Sequence, residues 1–411
     1  MEILVAGGGI AGLAFALCLH ARGLTCRVFE SARQLRELGV GITLLPHGMR
    51  ELAALGLEPR LRAVAIENEE SVFFNRHGQL IYREPRGRFA GYATPELGIH
   101  RGRLHRVLYE AACERLGPER IVLDRECIAA TQDGDGVTLK LRESSTGAEI
   151  GSVRGDVVVA CDGVNSTIRR QFYPGETLAF TGINTWRGVT RRAAILTGRS
   201  YIRIGTVETG KIVIYPIADD VDGTGRQLVN WMAERRMPGA PMNDWNKPGR
   251  LQDFLPFYAD WHFDWLDVPG LVSSADAVLE YPMVDKDPVA RWSFGRITLM
   301  GDAAHPMYPR GSNGAAQALI DARTLAEILA RSSDAEAALR EYERARLEPT
   351  ARVVRTNREH PPDFINIKVE ELVGDQPFDD LDKYITQDQL RALSENYKRV
   401  AGFALTDLRP G

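Results

Sequence analysis

The chain has 411 residues, of which 44% are hydrophobic and 26% charged, and a formal net charge of −4. That length gives room for two or three domains with a large core, and the ordinary composition excludes a fibrous or disordered chain. The slight acid excess removes any electrostatic case for nucleic acid or an acidic membrane surface as partner. Its five cysteines form no C-x-x-C pair and no metal-ligand spacing, so they read as reduced thiols in a cytoplasmic protein without a metal site.

The predicted elements begin with Ile3–Ala6, a short all-apolar run suited to the buried centre of a parallel sheet. Gly7, Gly9 and Gly12 follow with G-x-G-x-x-G spacing in Gly7-Gly8-Gly9-Ile10-Ala11-Gly12. The first glycine permits a tight turn, the second lets a pyrophosphate approach the backbone, and the third lets helix and strand pack closely. Ala14, Leu17 and Cys18 recur at helical spacing, so free N–H groups and a positive dipole end face the phosphates. No basic residue precedes this apolar stretch, and it is too short to span a bilayer, which argues against a signal peptide or anchor. Gly23 ends the helix, Cys26–Phe29 makes a second strand, and Glu30 at its tip is placed to accept bonds from an adenosine ribose. An acid there favours the unphosphorylated ribose of FAD or NAD over that of NADP.

Further along, Gly39-Val40-Gly41-Ile42 reads as a glycine-flanked turn region. Ser71-Val72-Phe73-Phe74 and Leu80-Ile81-Tyr82 alternate as antiparallel strands do, and residues 103–116 carry Leu104, Val107, Leu108 and Ala111 on one helical face. Residues 121–123, 137–141 and 156–160 are expected to return to the nucleotide sheet. From about residue 176 to 280 the chain is β-rich and aromatic, with Trp186, Tyr201, Tyr215, Trp231, Trp245, Trp261 and Trp265. That shift predicts a second, mainly antiparallel domain. Within it, Gly205-Thr206-Val207-Glu208-Thr209-Gly210-Lys211 has P-loop spacing, but Ile212 replaces the metal-binding Ser or Thr and both flanks are β-like, so a hairpin turn is expected. Residues 296–300 resume the parallel sheet, 314–331 form an apolar-striped helix, and 335–357 form a charged one. The Pro361-Pro362 break sets off a polar helical tail.

Two further glycine turns repeat the strand–turn–helix pattern. They are Cys161-Asp162-Gly163, with Ser166 and Arg169 behind it, and Gly301-Asp302-Ala303-Ala304-His305-Pro306. Three such turns, far apart in the chain, imply that remote segments fold around one long phosphate-containing ligand, most economically FAD. The expected fold class is α/β, with a Rossmann-like FAD-binding domain built on a parallel sheet (residues 1–70, 98–175 and 281–358). It is interleaved with a mainly antiparallel β substrate domain (71–97 and 176–280) and followed by C-terminal helices (359–411).

On these residues the chain resembles the group A flavoprotein monooxygenases, aromatic hydroxylases with the p-hydroxybenzoate hydroxylase fold. Gly7, Gly9, Gly12 and Glu30 carry the match, with Val157-Val158-Val159-Ala160-Cys161-Asp162-Gly163, Gly301-Asp302 with Pro306, and His100-Arg101-Gly102-Arg103-Leu104. Together they cover residues 1 to about 358. Trp186-Arg187-Gly188-Val189-Thr190, Leu228-Val229-Asn230-Trp231, Tyr281-Pro282-Met283-Val284-Asp285 and Met307-Tyr308-Pro309 with Asn313-Gly314 resemble the phenazine-modifying members. The resemblance implies an enzyme that holds FAD, consumes NADH or NADPH and O2, and hydroxylates an aromatic or N-heteroaromatic small molecule through a C4a-hydroperoxyflavin, with or without loss of a carboxylate. Another FAD oxidoreductase on the same fold, such as a dehydrogenase or halogenase, and a non-catalytic FAD-binding sensor are the alternatives.

Expected FAD contacts are Gly7, Gly9, Ile10, Ala11, Gly12 and Glu30 in the first unit, Arg101 at the ribityl or phosphate region, and Asp162 and Gly163 in the second turn. Gly301 and Asp302 follow, the latter accepting a ribityl hydroxyl. The loop Pro309-Arg310-Gly311-Ser312-Asn313-Gly314, represented by Pro309, Gly311, Asn313 and Gly314, offers backbone N–H groups to negative charge at flavin N1 and C2=O. Substrate contacts are sought at Trp186, Arg187, Tyr215, Trp231 and Pro282. No general base stands out: His305 reads as a structural histidine, and no catalytic residue is assigned.

Overall fold

Ile3–Ala6 and Val157–Ala160 have every residue buried, which suits both to the middle of one sheet. The computed structural model describes residues 1–34, 39–239, 247–359 and 361–405. Its six-stranded sheet runs Ser293–Phe294, Ile297–Leu299, Val157–Ala160, Ile3–Ala6, Cys26–Phe29, Ile121–Val122, and only the first pair is antiparallel. Parallel neighbours end at the same edge, so Gly7, Asp162 and Gly301 arrive together where ligands bind open α/β sheets. The helices Ile10–His20 and Gly314–Ala330 pack against each other beside this edge.

Two expectations need correction here. Residues 137–141 do not join the nucleotide sheet: Val137–Arg142 lies in a three-stranded antiparallel sheet with Glu126–Gln132 and Glu149–Gly155. Its Val137, Leu139 and Leu141 point inward while the residues between them are wetter, the pattern of a sheet with one solvated face. Nor is 39–42 all turn, because Gly41–Leu44 is a strand paired antiparallel with Leu97–His100. Gly41 is required by close approach: a Cβ there would meet Asn230 Cβ at 2.7 Å.

The aromatic segment folds into an eight-stranded sheet ordered Lys247–Pro248, Val278–Asp285, Ala179–Arg192, Gln227–Arg236, Gly210–Ala218, Ser200–Thr206, Glu70–Phe74, Leu80–Pro85. It is antiparallel except where Ser200–Thr206 runs parallel to Glu70–Phe74. Ser200–Thr206 and Gly210–Ala218 form the hairpin expected in place of a P-loop. Trp186, Trp231, Phe254, Tyr258 and Trp261 fill the core on one face, under the short helices Leu251–Phe254 and Val268–Ser273. Trp245 lies outside the described residues.

The tail is helical, as expected, but it is part of the body of the protein. Phe364–Val373 and Gln387–Val400 fold back onto the eight-stranded sheet, where Ile365, Val369 and Leu390 pack on Phe73, Ile81 and Tyr82. Asn366 donates from Nδ2 to Phe74 O at 2.7 Å. No described helix is long and apolar enough to cross a membrane.

Candidate active site

Sterics show why the first turn holds its glycines. Gly7 has φ +102°, and a Cβ on it would meet Cys161 O at 2.4 Å; one on Gly12 would meet Gly7 O at 2.0 Å. A Cβ on Gly9 would meet nothing within 4 Å, so its side opens outward. Gly9 is also the N-cap of Ile10–His20 and offers no side-chain cap, leaving the first N–H groups, including those of Ile10 and Ala11, directed at that opening. Glu30 holds the turn: its Oε2 accepts from Gly8 N at 2.7 Å and its Oε1 from Ala32 N at 2.7 Å. His105, a residue the sequence reading missed, meets Gly8 O through Nε2 at 2.6 Å. It comes from the helix Arg101–Leu116, which starts two residues before the expected position and so makes Arg101 its first residue.

In the second turn, Asp162 divides its work. Its Oδ2 accepts from Thr167 N at 2.9 Å and Ile168 N at 3.3 Å, capping the helix Thr167–Phe172, while Oδ1 is buried with no partner. Burial pushes its carboxyl above the usual range, against the pull of hydrogen bonds from Ser166 and the backbone. Gly163, at φ +77°, faces open space. Arg169 ties this turn to the third: its Nη1 donates to Ala303 O at 2.9 Å and Ala304 O at 2.7 Å.

The third turn is wedged against the first, since a Cβ on Gly301 would meet Ala11 Cβ at 2.9 Å. Asp302 is solvent-accessible yet hemmed in by protein, and that burial raises its pKa, opposed by His305 and Arg101. Gly314, first residue of the long helix, lies beside it: a Cβ there would sit 3.9 Å from Asp302 Oδ1. His305 is structural. It is buried, and its Nε2 lies 2.5 Å from Asp321 Oδ2, whose other oxygen accepts from Arg346 Nε at 2.7 Å. Although burial raises it, the Asp321 carboxyl is held at about 2 by the His305 and Arg346 charges.

Of the loop before the long helix, Pro309 is exposed and Asn313 is fully buried. The Asn313 side chain turns inward, with Oδ1 3.1 Å from His47 Nε2 and Nδ2 donating to Tyr397 Oη at 2.8 Å. It makes no cap bond, so the helix's first N–H groups keep no side-chain acceptor. Gly311, at φ +97°, packs against Tyr397, whose Oη would lie 1.8 Å from an added Cβ.

Across from these turns stands the second face of the eight-stranded sheet. Strand pairing puts Arg187, Met232, Asn230, Tyr215 and Tyr281 on it. Arg187 Nη2 donates to Gly41 O at 3.2 Å and Asn230 Oδ1 accepts from Gly41 N at 2.7 Å, which docks the sheet on the nucleotide side. Trp186, Trp231 and Pro282 alternate to the opposite face, so these three expected substrate contacts are corrected. Trp186 is 1% exposed and stacks on Phe254 with centroids 4.9 Å apart, and Trp231 donates from Nε1 to Thr190 Oγ1 at 3.1 Å. Large aromatics signal burial more reliably than ligand contact.

The residues fit FAD: an open helix N-terminus behind Gly9, an acid at the end of the second strand, an accessible carboxylate at Asp302, and a second open helix N-terminus at Gly314. Among the described residues no cluster suits a metal ion. A family model described as "FAD binding domain" matches residues 1–200 and 280–357. Phenazine 1,6-dicarboxylic acid hydroxylase PhzS of Lysobacter antibioticus is 39% identical over 365 residues, covering 87% of this chain and 89% of that protein. 3-Amino-4-hydroxybenzoate 2-monooxygenase PtnB3 of Streptomyces platensis is 35% identical over 373 residues, covering 88% of each. In structure, Klebsiella pneumoniae HpxO complexed with FAD and uric acid is similar with a TM-score of 0.75, at 22% identity over 99% of this chain and 97% of that one.

Proposed function

The chain belongs to the FAD binding domain family and is an FAD-dependent aromatic monooxygenase; on that premise we propose that it hydroxylates an aromatic or N-heteroaromatic carboxylic acid of the phenazine type. The observation that carries this reading is the meeting of three remote glycine turns and two open helix N-termini opposite a sheet face bearing Arg187 and Tyr215. The relative acting on a phenazine dicarboxylic acid supports the tricyclic substrate. NADH or NADPH is the reductant, as is typical of the family.

When bound, FAD supplies the redox and oxygen chemistry. The N-terminus behind Gly9 holds its pyrophosphate and Glu30 accepts from its ribose. Asp302 accepts a ribityl hydroxyl, with Arg101 near enough for its charge to act on that carboxylate. The open start of the helix at Gly314 stabilises negative charge on the ring's pyrimidine edge, a role worth about 2–4 kcal/mol in a dry site. Arg187 and Tyr215 orient the substrate, and the tryptophan core behind them keeps the sheet rigid. Residues 1–70, 98–175 and 281–358 form the FAD-binding unit in this reading.

The test is oxidation of NADH and of NADPH by the flavin-loaded protein, with phenazine-1-carboxylate, hydroxybenzoates and hydroxynicotinates under labelled O2. Acceleration by an aromatic acid, with label in the product, is expected. Oxidation that no aromatic accelerates counts against the reading.

A further inference from the structure

The helix Gly314–Ala330 begins in an arrangement that its own end does not explain. Asparagine is a preferred N-cap: its backbone is extended there, and its side-chain oxygen accepts from an N–H two or three residues on. Asn313 stands at that place but makes no cap bond, and its backbone lies at φ −86° and ψ −22°. The ladder closes only at Gln317 N, which reaches Asn313 O at 2.9 Å, so the N–H groups of Gly314, Ala315 and Ala316 precede it. Something other than the helix holds the Asn313 side chain away.

The holders are His47 on one side and the C-terminal tail on the other, and their hydrogen bonds run in one direction. Asn357 Nδ2 faces the carbonyl of Tyr308 at 3.4 Å, which turns its Oδ1 to Tyr397 Oη at 3.1 Å. The Tyr397 hydroxyl has a single proton and gives it to that oxygen, so it accepts from Asn313 Nδ2 at 2.8 Å. Asn313 Nδ2 also lies 3.4 Å from Gly311 O, which leaves Oδ1 to accept from His47 Nε2 at 3.1 Å. The tail fixes both holders. Phe403 stacks on the His47 ring with centroids 5.0 Å apart and meets the Tyr397 ring edge-on at 6.2 Å. In the same loop, Arg310 is tied to Asp363 of the tail at 2.7 Å. His47, Asn313 and Asn357 are fully buried, so bulk water offers no replacement partner.

We propose that Tyr397 is a positioning residue for the flavin. Together with His47 it withholds Asn313 from capping the helix at Gly314, so that the helix start stays open to negative charge on the ring's pyrimidine edge. This rests on the functional reading above. A capped start has committed an N–H group to Asn313 Oδ1, and a donor so engaged answers developing charge less strongly. Negative charge grows on that edge when the flavin is reduced. Removing the Tyr397 hydroxyl leaves Asn313 Nδ2 buried without its best partner, a cost that rotation of the side chain toward the helix relieves. A tail remote from the reacting centre thereby sets how strongly the site favours reduced flavin.

The experiment measures the two-electron midpoint potential of the flavin-loaded protein by dye-coupled reduction, beside its melting temperature. Tyr397→Phe keeps the ring that packs on Gly311 and Phe403 and deletes only the hydroxyl. It should shift the equilibrium about three- to tenfold against reduced flavin, a fall of about 15–30 mV. Val369→Ala, in the other tail helix, removes buried apolar contact away from Asn313; it should lower the melting temperature and leave the equilibrium within about twofold of wild type. Asn313→Ala has no side chain with which to cap, so adding Tyr397→Phe to it should move the equilibrium by less than about twofold. His47→Leu withdraws the donor from Asn313 Oδ1 and should lower the potential as Tyr397→Phe does; it stands in for that variant should it fail to fold. An unchanged potential in Tyr397→Phe, an equal fall in Val369→Ala, or the same fall when residue 313 is alanine overturns the positioning role. Wild-type protein that takes up no FAD, or whose reductant oxidation responds to no aromatic, overturns the functional reading itself.

Discussion

His47 is buried against Phe403, with ring centroids 5.0 Å apart, and burial lowers its pKa to about 3 from an ordinary 6.5. Between those values the unfolded chain takes up a proton that the native histidine refuses. The stability gained from keeping it neutral is therefore full above pH 6.5 and is lost as pH falls toward 3, at about 1.4 kcal/mol per pH unit. Carboxylates such as Asp321, held at about 2, add their own loss only below the ordinary aspartate value of 3.8. Thermal melts from pH 7 to about 4 should accordingly show a flatter slope in His47→Asn than in the wild type; parallel slopes would clear His47 of this role. Asp302 gives a second prediction at this scale. Its carboxylate stands accessible beside the helix start at Gly314, so Asp302→Ala should weaken FAD binding by about 1.5–3 kcal/mol and yield partly colourless protein. Full flavin occupancy after dialysis would remove Asp302 from the site.

Where elements meet, the loop at 309–314 and the helix Gln387–Val400 are fitted to each other with no slack. Tyr397 Oη occupies the place of the missing Gly311 side chain, accepts from Asn313 Nδ2 at 2.8 Å and donates to Asn357 Oδ1 at 3.1 Å. Gly311→Ala therefore adds both a collision and a residue at φ +97°, and should cost about 1–3 kcal/mol. Combining it with Tyr397→Ala relieves the collision but leaves the backbone strain, so the double variant should be more stable than the sum of the single effects. Denaturant unfolding of the four proteins checks this, and strict additivity would deny the contact. None of this packing could be read from sequence, because it joins residues far apart through the shape of a tail whose own pattern shows only polar helices. The glycine turns were legible for the opposite reason: Gly7, Gly9 and Gly12 answer a local demand of strand, turn and helix. Gly41 shows how the same residue misleads, since its absent side chain accommodates Asn230 from another sheet, not a turn. In the substrate sheet, alternation separates Trp186 from Arg187, but sequence does not say which face meets the flavin, and aromatic content pointed to the core side. His47 carried no motif at all.

At the scale of the whole molecule, three chain segments separated by most of its length are already latched before any ligand is considered. Arg169 is fully buried and bonds the carbonyls of Ala303 and Ala304, while its Nε donates to Glu176 Oε2 at 2.7 Å, and Lys286 Nζ joins the same carboxylate at 2.9 Å. Asp321 performs the matching task on the other side, receiving Gly301 N at 3.3 Å together with His305 and Arg346. A ligand laid along the shared sheet edge therefore meets a largely prebuilt cradle, and its binding free energy is spread over the three turns. Anything that binds only the folded state adds stability by mass action, about 2.7 kcal/mol at a hundredfold excess over its dissociation constant. Amide hydrogen exchange compared with and without FAD locates that gain. Protection should rise together in residues 7–12, around Asp162–Gly163, and in 301–304 with 309–314, because these amides belong to one cooperative unit. Protection confined to the first turn would mean that the later turns merely support the fold. Loss of coordinated protection in Arg169→Met, with the first turn still protected, would identify that arginine as the link that makes the cradle one body.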